Sequence, residues 1–191
     1  MAIERTKEQR DAWATPASIF MALQRLYPGE TPGFGLDAAA SAHNAKVPDN
    51  YLTKAHNSLD CDWKAALKPG TNWVWVNPPY SCAKLFVEKA KQEHKRGVSV
   101  VMLLNQVFDT GYFAEAECTE VLVVTDGRIR FVCDVTGELG DNPSKGNAAF
   151  IWRAHWPGTK QPPTHYFTKE ELEAIGRSAA GIQYQTATQT R

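Results

Sequence analysis

Apolar residues recur at three- and four-residue steps from Thr15 to about Tyr27, where Ile19, Leu23 and Leu26 share a face with Phe20 beside them. That period predicts a helix, with Thr15 as its N-cap, Pro16 at the first helical position and Pro28-Gly29 as its stop. Further along, stripes give way to unbroken runs. Phe34 to Ala39 is a short one carrying the carboxylate of Asp37 near its end; Asn72 to Asn77, NWVWVN, is β-rich; Ser99 to Leu104 and Glu120 to Thr125 are continuously apolar. Such runs mark strands buried on both faces. Between them, Ser81 can cap a helix through about Arg96, with Ala83, Phe86, Val87 and Ala90 inward and Gly97 closing it, and 111–118 reads as a short helix.

Strand, helix, strand with short joints is the rhythm of an α/β fold, a mostly parallel central sheet flanked by helices. After Asp126-Gly127 the pattern changes. Arg128 to Val132 and Ala148 to Trp152 read as two late strands around a loop of about fifteen residues, long enough to be a recognition element. Thr168-Lys169-Glu170-Glu171 is a capping box that opens a last helix to about Ser178. The expected organisation is one domain over 1–180, its late loop at about 132–148, and a loose tail over 181–191.

Composition narrows the class. A hydrophobic share of 43% in 191 residues is enough for one domain with a core, and no apolar run reaches the roughly 18 residues of a membrane span. The charged start, MAIERTKEQRDAWATP, has no signal-peptide core, which predicts a cytoplasmic protein. Basic and acidic side chains balance at 21 each, so net charge says nothing about a nucleic-acid partner and placement must. Lys84, Lys89, Lys91, Lys95 and Arg96 outweigh Glu88 and Glu93 in one segment, either as a basic patch or as a solvated helix face. The cysteines and histidines lack zinc-ligand spacing, and no nucleophile elbow, phosphate loop or dinucleotide fingerprint is present.

The informative tetrapeptide is Asn77-Pro78-Pro79-Tyr80, at the exit of a buried strand. One reading is purely structural: a strand exit stiffened by two prolines, with a packed tyrosine. The other is chemical. An exocyclic amino nitrogen on a nucleobase is a weak nucleophile because its lone pair is delocalised into the ring. The side-chain oxygen of Asn77 and the carbonyl of Pro78 can accept the amino hydrogens and draw the nitrogen toward tetrahedral geometry, while Pro79 stiffens the backbone. Tyr80 can stack on the base and hold it in line with the methyl group of a sulfonium donor.

With these residues in place the sequence resembles the phage-type DNA N6-adenine methyltransferases, the Dam family of phages and prophages. The resemblance runs over roughly 11–153 and is carried by the order and spacing of several segments. These are Asp11-Ala12-Trp13-Ala14-Thr15-Pro16, Phe34-Gly35-Leu36-Asp37-Ala38-Ala39-Ala40-Ser41 with Asn44-Ala45-Lys46, Asp62-Trp63, the Asn77-Pro78-Pro79-Tyr80-Ser81 core, and Gly127-Arg128-Ile129-Arg130-Phe131. It implies a Rossmann-like S-adenosylmethionine-dependent methyltransferase fold, with the cofactor across the carboxyl ends of the first strands. Trp13, Thr15 and Pro16 would border its methionine end, Asp37 with Ala38 and Ala39 would lie at the first strand's tip, Asp62 near the adenosine, and Asn44 would be a further ligand. The loop after Asp37 lacks the glycines of many methyltransferases and follows the phage family's own pattern.

The reaction implied is methyl transfer to the N6 of an adenine flipped out of double-stranded DNA, in a bacterial host, by a monomer or weak homodimer. Ser81, Arg128, Arg130 and Lys145 are the expected DNA contacts, the last three on or beside the late loop. Arg128 and Arg130 can equally be strand-face residues paired with Asp126 or Asp134. The tetrapeptide also suits cytosine N4, RNA adenine or a protein glutamine amide, and a second class of reading is a non-catalytic DNA-binding phage protein.

Overall fold

A computed structural model of the chain describes residues 13–106, 113, 115–133, 137–140 and 143–188. In chain order the strands are β1 (Trp13–Ala14), β2 (Leu36–Asp37), β3 (Trp73–Val76), β4 (Ser99–Asn105), β5 (Glu120–Thr125), β6 (Val132–Cys133), β7 (Asn147–Trp152) and β8 (Thr164–Thr168). The helices are α1 (Ala17–Leu26), α2 (Trp63–Ala66), α3 (Ala83–Lys95) and α4 (Lys169–Thr188).

The main sheet has the order β2-β3-β4-β7-β5-β8. β2, β3 and β4 pair in parallel, β5 and β8 pair in parallel, and β7 runs antiparallel to both β4 and β5. Five strands therefore share a direction and β7 opposes them, which brings the start of β7 to the edge where the others end. Between their polar ends the central strands are apolar because both their faces are covered. Val100, Met102 and Leu104 of β4 pack with Phe86, Val87 and Ala90 of α3, whereas Val101 and Leu103 pack with Ile19 and Leu23 of α1 and Leu172 of α4. Helices α1 and α4 cross closely: a Cβ on Gly176 would fall 1.8 Å from the Ser18 carbonyl oxygen, so only glycine fits.

Several expectations are met by these elements, and several are shifted. The capping box is present, the Thr168 amide donating to Glu171 Oε2 at 2.7 Å and the Glu171 amide to Thr168 Oγ1 at 3.1 Å. Helix α4, however, runs on to Thr188, beyond the end read from its apolar period. Thr15 is not the cap of α1: the helix starts at Ala17 directly after Pro16, with no side-chain cap. Ser81 does not cap α3 either, because a 3-10 turn over Tyr80–Cys82 intervenes and the helix begins at Ala83. The run from Arg128 to Val132 yields only β6, since Asp126 and Gly127 take positive φ (46° and 131°) and steer the chain off the main sheet to pair with β1 instead. Strand β8, THYFT, was not expected; it lies at the sheet's outer edge with its first three residues exposed. Of the helix expected over 111–118, positions 111, 112 and 114 lie outside the described residues, Phe113 and Glu115 are helical, and Ala116 to Cys118 are not; Asp11, Ala12, Asp134 and Asp141 also lie outside the described residues. No helix of the described residues is long and apolar enough to cross a membrane.

Candidate active site at the carboxyl edge of the sheet

β3 ends at Val76, and two prolines without amide hydrogens carry the chain out of the sheet. Asn77 is half-buried, and its Nδ2 donates to the Trp13 carbonyl at 3.1 Å. Because that carbonyl can only accept, the bond fixes which end of the amide is which. Among the described residues nothing donates to Asn77 Oδ1 or to the Pro78 carbonyl, whereas the Pro79 carbonyl accepts the Cys82 amide at 3.0 Å. Two oxygen acceptors, from Asn77 and Pro78, thus stay uncommitted at the strand tip among the described residues.

Tyr80 stands beside them, 37% exposed, with its ring edge-on to Phe131 at 6.2 Å between centroids. Its hydroxyl accepts from Asn147 Nδ2 at 3.3 Å. Asn147 opens β7 and lies opposite Asn105 at the end of β4. Neither Phe131 nor Asn147 stood among the expected site residues. Phe131 could be found as the end of the GRIRF segment, and Asn147 as the lone polar residue heading an apolar strand.

Trp13 arrives through the antiparallel β1–β6 ribbon, with Trp13 opposite Cys133 and Ala14 opposite Val132. Its ring packs on Gly140, where a Cβ would sit 2.7 Å from Trp13 Cζ3. Thr15 follows, 1% exposed, and its Oγ1 has no hydrogen-bond partner among the described residues. The Pro16 carbonyl accepts the Ile19 and Phe20 amides at 3.1 Å and so starts α1.

Asp37 is 2% exposed and serves its own loop: Oδ1 accepts the Ala39 amide at 3.2 Å and Oδ2 the Lys46 amide at 2.8 Å. Burial pushes its carboxyl up to about 6, against the pull of those two amides and the Lys46 charge. Burial in turn holds the Lys46 ammonium below its usual range, with Asp37 opposing. The Ala38 amide donates to the Trp75 carbonyl at 2.9 Å, keeping the loop against β3. Asn44 closes the next turn, its Oδ1 accepting the Ser41 amide at 2.7 Å.

Asp62 is not brought to this group. It caps α2 through the Ala65 amide at 3.0 Å and pairs with Arg96, whose guanidinium holds the carboxyl down at about 2. Arg96 follows α3 and leads into Ser99, which is in register with Trp73 at the start of β3. Asp62 therefore sits at the amino edge of the sheet, a strand length of about 13 Å from Asn77. An open cleft of about 480 Å³ bounded by Lys95, Gly97, His155 and Trp156 lies at that same far edge and is separate from the site.

The expected DNA contacts divide. Arg128 donates to the Pro143 carbonyl at 2.6 Å and Arg130 to the Gly140 carbonyl at 2.9 Å, so each ties down the late loop rather than pairing with Asp126. Each guanidinium keeps further donors and both residues are exposed, as are Ser81 in the 3-10 turn and Lys145 in the loop.

A largely parallel sheet with its polar side chains gathered at the strand ends, and helices on both faces, defines an α/β domain of the kind that binds ligands at that edge. The chain belongs to the DNA N-6-adenine-methyltransferase (Dam) family, whose model matches residues 3–179. It is 34% identical over 154 residues to the DNA N-6-adenine-methyltransferase of Haemophilus phage HP1, covering 79% of this chain and 83% of that protein. It is 33% identical over 174 residues to the protein of the same name from Escherichia phage T1, covering 82% of this chain and 68% of that one. No solved structure matches the chain.

Proposed function

We propose that the protein is a DNA adenine N6-methyltransferase that uses S-adenosylmethionine, on a Rossmann-like methyltransferase sheet, in the cytoplasm of a bacterial host. The observation that carries the reading is the Asn77 amide, turned by the Trp13 carbonyl so that Oδ1, like the Pro78 carbonyl, is left without a donor among the described residues. Those two oxygens match the two hydrogens of an adenine amino group presented outside the helical stack. Accepting both hydrogens withdraws the nitrogen lone pair from the ring and directs it outward. Tyr80 and Phe131 offer aromatic surface for the purine.

The residues present fit the cofactor. Thr15 carries a buried hydroxyl without a partner, a state that is costly until a polar ligand group engages it, and the amino-acid end of S-adenosylmethionine has both an ammonium and a carboxylate to offer. Trp13, Thr15 and Pro16 would hold that end. The loop that Asp37 gathers, with Ala38, Ala39 and Asn44, would line the rest. When bound, the cofactor supplies an electrophilic methyl carbon; the chain's own part is to orient the amine and exclude water. Arg128, Arg130, Lys145 and Ser81 would meet the DNA backbone.

The test is to incubate the protein with methyl-labelled cofactor and duplex DNA and digest to nucleosides. Label in N6-methyladenine nucleoside is expected. Label on cytosine, or on protein alone, overturns the adenine assignment.

A further inference from the structure

Two buried side-chain polar atoms among the described residues lack a partner, Thr15 Oγ1 and Asn147 Oδ1. The first is accounted for above. The second is not. Asn147 is 1% exposed at the head of a strand whose other residues, Ala148 to Trp152, are apolar and buried. A half-satisfied amide is less stable there than an apolar residue of the same shape, so packing gives no reason for it.

Tyr80 gives one. Asn147 Nδ2 lies 3.3 Å from the Tyr80 hydroxyl and 3.5 Å from the Leu104 carbonyl. The Leu104 oxygen can only accept, so the amide nitrogen faces Tyr80 and the hydroxyl is the acceptor. Tyr80 is partly exposed, with its ring edge-on to Phe131. A hydrogen bond to the hydroxyl, at the far end of the ring, selects one rotamer of such a side chain. We propose that Asn147 is a positioning residue, holding the Tyr80 ring where a purine must stack. The inference rests on the adenine reading of the site and names a residue that reading does not require.

The experiment measures methyl transfer to duplex DNA for wild type, Asn147→Ala, Asn147→Leu, Tyr80→Phe and the Asn147→Leu/Tyr80→Phe double variant, alongside cofactor binding and thermal midpoints. Leucine keeps the branched shape and removes the tether; phenylalanine keeps the ring and removes the tether from the other side. Each single change is expected to lower kcat about tenfold, the double no further, because both break one contact. Cofactor affinity stays within twofold, and Asn147→Leu melts no lower than wild type. Full activity in the Asn147 variants, losses that multiply in the double, or a loss that tracks a falling midpoint each overturn the proposal. A wild type that leaves adenine unlabelled overturns the adenine reading instead.

Discussion

Replacing Asp37 by asparagine removes one buried charge and leaves its volume in place. The carboxyl titrates near 6 in the fold against 3.8 in its ordinary state, because the loss of water outweighs two backbone amides and a nearby ammonium. Between those values the native chain holds a proton that the unfolded chain has released, so stability falls as pH rises through the window and is greatest below it. A rise of about two units corresponds to about 3 kcal/mol lost between pH 4 and pH 7. Asparagine offers one acceptor where aspartate offers two, so either the Ala39 or the Lys46 amide then faces an NH2 group. That penalty is the same at every pH and shifts the curve without tilting it. Urea unfolding of both proteins from pH 4 to pH 8 separates the terms: the wild type's advantage over Asp37→Asn should shrink by about 3 kcal/mol across the range. Parallel curves would refute the claim that desolvation governs Asp37.

Asn77→Ala should lower methyl transfer by roughly 10²–10³-fold in single-turnover assays, with cofactor affinity changed only a few-fold, since the lost acceptor serves the reacting amine; equal loss of both would assign Asn77 to the cofactor instead. Gly140→Ala pushes a methyl to 2.7 Å from the Trp13 ring and should cost about 1–3 kcal/mol in denaturant titrations while weakening cofactor binding. Asp62→Ala should lower the thermal midpoint through the lost cap and Arg96 pair but leave calorimetric cofactor affinity unchanged. A tenfold weaker cofactor would contradict its place at the far edge.

What the sequence made legible was whatever depends on unbroken apolar runs and on a rare local motif. β3, β4, β5 and β7 announce themselves because burial on both faces leaves no room for polar residues, and Asn77 to Tyr80 mark a strand exit by proline chemistry alone. β8 escapes that logic: an edge strand whose leading residues are exposed has no apolar signature. Asp62 shows a different blind spot, because motif order along a chain does not say which rim of a sheet a residue reaches. The pairing of α3's end with the loop before α2 decides that, and it is a long-range contact. Thr15 reads as a helix cap from local grammar, and only the packed fold reveals its hydroxyl as unanswered. Asn147 and Tyr80 lie 67 positions apart, beyond any local pattern.

The short β1–β6 ribbon carries a lesson about linkage. One of its strands brings Trp13 and Thr15 to the methionine end of the proposed cofactor site, and the other leads into the loop that Arg128 and Arg130 moor. Trp13 rests directly on Gly140 of that loop. A duplex that settles the loop therefore settles the tryptophan too, and reciprocity demands that whatever factor DNA adds to the affinity for the sulfonium nucleoside, the nucleoside returns to DNA.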